Sequence, residues 1–222
     1  MSGSRSPSAR RTVDALVAEC GQTYAEEAGI RLKDTPQPLY QLLVLSLLLS
    51  ARIRASVAVA AARALYGHGL RTPRRMVDAT WQQRVDALGE GHYRRYDERT
   101  ATQLGEGAQL VLDTWRGDLR RLRAEADGDR DRLMEGLRRV PGIGPAGADI
   151  FVREVQSLWP ETGPWVGAKG LQGAERLGLP ISPGRLARAA HGHDGATFAA
   201  ALVRAALDKD IVARVAERAR TR

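Results

Sequence analysis

Leu137-Arg-Arg-Val-Pro-Gly-Ile-Gly-Pro-Ala-Gly-Ala148 is the stretch on which the fold of this chain turns. Leu133, Met134 and Leu137 recur at helical spacing up to Pro141. Proline ends that helix, because it disfavours helical geometry in the residue before it and has no amide hydrogen to donate. A second helix starts at Pro145, a first-turn position that tolerates the missing N–H, and carries Ala148, Phe151, Val152, Val155 and Leu158 along one face. The stretch therefore reads helix, hairpin, helix, with Pro141-Gly142-Ile143-Gly144 as the hairpin. Glycine reaches positive φ and has no side chain, so the turn is tight and its amides can approach another surface closely. The positive end of the helix from Pro145 adds to those amides, and together they suit a phosphate held through backbone, without reading base sequence. Ile143 is the plug that anchors the hairpin to the core. A Pro-Gly turn between helices also serves as a plain corner, so the hairpin alone leaves both roles open.

Outward from this stretch, the pattern from Thr12 to the end is helical nearly throughout, with no sustained alternation of β-branched residues, and predicts an all-α fold. Val13, Leu16, Val17 and Cys20 predict a first helix ending near Gly29, after a disordered tail over residues 1–11. Pro36 and Pro38 open a helix over Leu39 to Leu49 whose only polar members are Gln41 and Ser46. Apolar all round, it is expected to be the central buried helix, with its polar end, Ser50 to Arg54, emerging from the core. An Ala-rich helix over Ile53 to Tyr66 follows, then two short ones capped at Thr72-Pro73 and Thr80-Trp81. Gly89 to Gly91 leads through Tyr93 and Tyr96 into a long helix with Ala101, Leu104, Ala108, Val111 and Leu112 on one face, and Leu119 and Leu122 mark another. Ala124 to Asp131 reads as a surface loop. Beyond the hairpin, helices are expected near Ala168 to Leu177, Pro183 to Ala190 and Ala196 to Ala219, the last broken around Asp208 to Asp210.

With 222 residues, 43% hydrophobic and 27% charged, the chain has ordinary globular composition and enough length for one large or two small domains. A single cysteine, Cys20, excludes an internal disulfide framework and any cysteine-cage metal site or iron–sulfur cluster built from this chain. The longest apolar run has 11 residues, against the roughly 20 of a membrane helix, and the N-terminus lacks the apolar core of a signal peptide, so a cytoplasmic location is expected. The net charge of +8 favours a polyanionic partner such as nucleic acid. All but three of the 34 basic residues are Arg, and the chain is rich in Ala, which also fits a biased genome, so charge alone does not decide the partner.

Leu137 through Ala148 resembles the helix–hairpin–helix of the HhH-GPD superfamily of base-excision-repair DNA glycosylases, typified by endonuclease III, whose hairpin reads L-P-G-V/I-G. Leu47-Leu-Leu-Ser-Ala51 resembles that family's L-L-S-A-Q stretch and puts Arg52 at its glutamine, which enters the duplex near the flipped nucleotide. Leu88-Gly89 through Ala101 is similar to its G-x-Y-x-x-K-A region, and Arg176-Leu-Gly-Leu179 to its R-L-G-L. The resemblance covers Pro38 to Leu179. It implies two helical domains with a DNA cleft between them, here residues 1–33 with 159–222 and residues 34–158. It further implies sequence-independent binding of double-stranded DNA through Pro141, Gly142, Ile143, Gly144, Ala146 and Arg52, by a nucleoid-associated monomer, with no cofactor beyond a monovalent cation at the hairpin. The implied chemistry is extrusion of a damaged base and cleavage of its N-glycosidic bond.

The resemblance departs at the reacting groups. Bifunctional members carry a nucleophilic lysine at the position of Ala146, and a methyl group forms no Schiff base. Nearly all members carry an aspartate in a V-D-T/S-H-like segment, and counting back from Arg176-Leu-Gly-Leu179 puts Gly167 there. The nearest acids are Asp149, Glu154 and Glu161, and Asp149 and Glu161 are the candidates for a replacement catalytic acid. Two functions follow: a monofunctional glycosylase without lyase activity, or a catalytically inactive protein of the same fold that recognises damaged or distorted DNA. An unrelated helical interaction domain is the third reading. The four-cysteine cluster held by some members is absent. His191-Gly-His193-Asp194 reads as a solvated turn before a metal site, and Lys169 as a solvated lysine before a displaced amine. Arg94-Arg95-Tyr96 and Arg74-Arg75 are candidate DNA-backbone contacts, and Trp159 and Trp165 either line a base pocket or pack between domains.

Overall fold

The computed structural model describes residues 8–221, and every regular element among them is a helix. The chain divides into two compact units: residues up to Thr23 with those from Gly163 onward, and Tyr24–Thr162.

The second unit runs α2 (Tyr24–Glu27), α3 (Pro36–Leu49), α4 (Ala55–Gly67), α5 (Pro73–Asp78), α6 (Trp81–Glu90), α7 (Asp97–Trp115), α8 (Leu119–Ala126), α9 (Arg130–Arg138) and α10 (Pro145–Val155), closing with a 3₁₀ turn at Pro160–Thr162. Ten consecutive residues of α3, Leu39 to Leu48, are buried, and α4, α8 and α10 all touch that helix. Inside it, Ser46 Oγ donates to Leu42 O at 2.8 Å, and the Tyr66 hydroxyl donates to the backbone carbonyl of Gln41 at 2.6 Å. Full burial of each leucine here contributes about 1.5–3 kcal/mol, which fixes α3 as the axis of the unit. Arg84 is also buried, and its guanidinium donates to the carbonyls of Ala101 (2.9 Å), Met76 (2.9 Å) and Ala79 (2.8 Å), pinning α5 and α7 onto α6. Gly105 leaves the space this guanidinium fills.

The first unit holds α1 (Ala9–Cys20), α11 (Gly167–Arg176), α12 (Pro183–Ala189), α13 (Gly195–Leu207) and α14 (Lys209–Arg220) around a core of Val13, Leu16, Ala174, Phe198, Leu202 and Val215. The break expected near Asp208 is present, with the Asp208 carboxylate accepting the Asp210 amide at 2.8 Å.

Several expectations change. The tail expected over residues 1–11 lies in part outside the described residues, but Ala9 already opens α1, because Ser8 Oγ accepts the Arg11 amide at 3.3 Å. The helix expected to reach Gly29 stops at Cys20, and α2 forms separately. Gly21 leaves helical geometry at φ −76° and ψ 45°, with its amide on the Val17 carbonyl at 2.8 Å, and so closes α1. The loop expected over Ala124–Asp131 shrinks to the segment around Asp127 and Gly128, because Leu122 and Ala126 are buried on α8 and Asp129 caps α9. The cuts expected near Lys33 and Trp159 compare with junctions at Thr23/Tyr24 and Thr162/Gly163. Trp159 is fully buried, meets the Phe151 ring at a tilt with centroids 5.7 Å apart and donates to Asp34 at 3.0 Å, contacts that all belong to the second unit.

Candidate functional site

Val140, Pro141, Gly142 and Ile143 form a turn closed by the Ile143 amide on the Val140 carbonyl at 2.9 Å. Proline at its second position presets φ, and Gly142 at its third has φ +87°, which a side chain rarely adopts. Space is closed there as well: a Cβ on Gly142 would lie 2.6 Å from Leu47 Cδ1. Ile143 is buried, as a plug requires. Gly147 is buried where α10 lies on α3, and a Cβ there would make ordinary contact with Ile143 at 3.4 Å and the Ser46 carbonyl oxygen at 3.6 Å.

Gly144 differs from both. Its backbone is extended, φ −90° and ψ −170°, and no atom lies within 4 Å of where its Cβ would be. No side chain caps α10. Among the described residues, the amides of Gly142, Gly144, Ala146 and Gly147 make no hydrogen bond, and Pro145 has none to make. Four unpartnered donors at a helix N-terminus, with Gly144 opening on free space, can receive an anion of phosphate size. Arg138 and Arg139 precede the turn and are exposed.

Arg52 lies in the turn that leaves α3 after Ser50, and it is exposed. That end of α3 is the one packed on the hairpin through Ser46 and Leu47, so the structure brings Arg52 and the hairpin to one end of one helix. Ala146 is exposed in the first turn of α10, and Asp149 lies half-buried one turn further on. Glu161 is held elsewhere in the unit: its carboxylate accepts from Arg123 Nε at 2.5 Å and Nη2 at 3.0 Å. Hydrogen bonding to Arg123 holds its carboxyl below the usual range, which keeps it ionised and engaged. Arg123 also bonds Asp34 at 2.9 Å and lies over the Trp159 ring at 5.2 Å, so Glu161 and Trp159 serve a packing network. Glu154 is fully buried, and its carboxylate accepts the Ala25 amide at 2.9 Å.

Gly167 and Lys169 lie in the other unit. Gly167 opens α11 with φ +66°, and Lys169 Nζ donates to Gln172 at 2.9 Å on the exposed side of that helix. His193 Nε2 lies 2.7 Å from Asp14, Asp194 caps α13 through the Thr197 amide, and no cluster of metal-ligating side chains occurs among the described residues. Arg94 and Arg95 are exposed, with Arg95 over the Tyr96 ring at 5.3 Å, and Arg74 and Arg75 are exposed on α5. No described helix is long and apolar enough to cross a membrane.

What sequence reasoning missed is the contrast between the hairpin glycines. Pro at one turn position and Gly at the next was signal enough for Gly142. For Gly144, no local signal separates an open position from a crowded one.

No family model and no curated protein matches this chain. Among solved structures, a trapped endonuclease III–DNA covalent intermediate, the estranged-adenine complex, is similar to it at 16% identity and a TM-score of 0.46, over 78% of this chain and 74% of that one.

Proposed function

We propose that this chain is a duplex-DNA-binding protein of the base-excision-repair glycosylase class. Within that class it is a protein without Schiff-base strand cleavage, close to an endonuclease III in plan and different from it at the reacting positions. The observation that carries this reading is the Pro141–Gly144 turn, with unpartnered amides at the N-terminus of α10 and open space at Gly144. Such a site grips a phosphodiester without reading bases, and Arg52, at the same end of α3, would meet the duplex beside it. A planar guanidinium there can stack on an orphaned base.

Schiff-base chemistry needs an amine within reach of the sugar carbon, and Ala146 supplies none. Base release asks less when the base is already labile, as in an alkylated purine carrying positive charge, so activity is expected on such lesions and not on stable neutral ones. A second reading, recognition of distorted DNA without catalysis, is favoured by Glu161, a candidate acid whose carboxylate Arg123 occupies on both sides.

Duplex binding should weaken steeply with salt. Borohydride should trap no covalent complex on abasic or lesion-containing duplexes. Release of alkylated purines alone would support the monofunctional reading, and no release from any lesion the recognition reading. Efficient trapping that vanishes in Lys169→Ala would overturn both and make Lys169 the nucleophile. Salt-insensitive or absent DNA binding would leave the hairpin a plain corner.

A further inference from the structure

At the other end of α3 from the hairpin lies a cleft of about 450 Å³, within the size range of small-molecule sites. Its polar lining consists mainly of Arg31, Lys33, Arg63 and Arg71 with Gln37 and Gln41, and no acidic residue lines it. These cations come from three separate segments: the chain before α3, the last turns of α4, and the loop after α4. Gln37 and Leu47 are ten residues apart on α3, or about 15 Å at helical rise, so this cleft is distinct from the hairpin.

Like charges gathered without a counter-charge raise the energy of the empty state, and an anion lowers it. Among the described residues, Arg31, Lys33 and Arg63 form no ion pair, while Arg71 Nε is fixed on the Tyr66 carbonyl at 2.7 Å. Asp34, the acid next to Lys33, is bound by Arg123 at 2.9 Å and by the Trp159 indole at 3.0 Å. The N-terminus of α3 adds its positive end, since Thr35 makes no side-chain cap there. The second, independent observation is Gln41. Its residue is 8% exposed, it lines the cleft, and its side-chain amide has no hydrogen-bond partner among the described residues, although its backbone carbonyl is taken by Tyr66. That amide opens onto the cleft, where it can donate to or accept from what enters.

We propose that this cleft binds a small phosphorylated ligand bearing at least two negative charges, of the size of a nucleoside diphosphate. Three arginines match phosphate oxygens with forked donors. The Gln37 and Gln41 amides offer a paired donor and acceptor, which a bare inorganic anion does not need and a sugar or base does. This inference does not depend on the hairpin reading, since it concerns other residues and another ligand.

Isothermal titration of the full chain near physiological salt with ADP, with pyrophosphate and with a short duplex tests it. ADP should bind, and the paired exposed changes Lys33→Gln and Arg63→Gln should weaken it by about tenfold or more, as expected for lost charge-assisted hydrogen bonds, with the melting temperature and duplex affinity unchanged. Gln41→Leu should weaken ADP several-fold and leave pyrophosphate unaffected. If the native chain binds neither ADP nor pyrophosphate at millimolar concentration, the proposal is wrong. If the Lys33 and Arg63 changes lower duplex affinity while ADP binding is absent, the cleft is a DNA-backbone contact, and the proposal fails in favour of that reading.

Discussion

Gly142 and Gly144 stand in one turn with opposite tolerance for a side chain, and that contrast separates folding from binding. At Gly142, alanine would be forced into left-handed backbone at φ +87°, about 1–2 kcal/mol, and its Cβ would press on Leu47 Cδ1 at 2.6 Å, about 1–3 kcal/mol more. Gly142→Ala should therefore cost about 2–5 kcal/mol of stability. Gly144 has the extended backbone that a residue before proline prefers, and its Cβ position meets nothing within 4 Å. Gly144→Leu should leave stability within about 0.5 kcal/mol, as for an open surface site. Its side chain would fill the space a phosphate needs. Losing hydrogen bonds to a charged group removes about 1.5–3 kcal/mol, or roughly 10- to 150-fold in affinity. The slope of log affinity against log salt should stay nearly the same, because backbone amides are neutral and the slope counts phosphates paired with Lys or Arg. Fluorescence anisotropy with labelled duplexes of different sequence, at several salt concentrations, reads both quantities, and thermal melting reads stability. The loss should be the same on every duplex. If Gly144→Leu melts like the native chain and binds every duplex with unchanged affinity, the amides touch no phosphate.

Arg52→Ala should weaken binding to mismatched or abasic duplexes more than to intact ones in a competition titration, and equal losses would make Arg52 an ordinary phosphate contact. Glu154→Ala should lower the melting temperature by roughly 6–20 °C in calorimetry, because removing one member of a buried charge pair costs about 3–5 kcal/mol. The change strands the Ala25 amide and the Arg153 guanidinium, whose side chain is 3% exposed. Acid should destabilise the fold through Glu161, Asp118 and Asp14, whose carboxyls are held below the usual range chiefly by hydrogen bonds from Arg123, Arg120 and His193. Their contribution is complete above the unfolded carboxylate range, about pH 4, and is lost as pH falls through the lower folded values. Burial pushes the Glu154 carboxyl the other way, so it contributes with opposite sign. Urea titrations at several pH values should show a shallower acid loss in Arg123→Gln, and an unchanged slope would remove Glu161 from the account.

Local chemistry made α3 and the hairpin legible in the sequence. An apolar run interrupted only by Gln41 and Ser46, behind two prolines, has one physical outcome, and Pro-Gly followed by Ile-Gly-Pro dictates turn and helix start within a few residues. Buried charges were illegible for the converse reason. Arg84 sits in an ordinary polar stretch, and what buries it is a set of carbonyls up to 17 residues away. Glu154 finds its partner amide 129 residues back along the chain. Periodicity counts apolar side chains and reports a solvated face wherever a charge occurs, so both were invisible to it. The cations of the α3 cleft are scattered from Arg31 to Arg71 and form no motif until the helices pack. Glu161 was legible as an acid near the expected place, but its engagement with Arg123, 38 residues earlier, was not.

The segment opened by Gly167 constrains any side chain placed there. Past its left-handed first residue, α11 turns Gly170 and Gly173 toward α13, where a Cβ on Gly173 would run into the Leu202 backbone, while one on Gly170 would press on Val166 at the start of α11, at 3.2 Å. The helix is committed to close packing on glycines. Gly167→Asp would set a carboxylate on left-handed backbone, which Asp tolerates better than most residues, as Asp127 does here at φ +50°. The helix behind it cannot shift to re-aim that acid, because Gly173 holds α11 against the Leu202 backbone, so the direction of a side chain at position 167 is set by the first turn of α11.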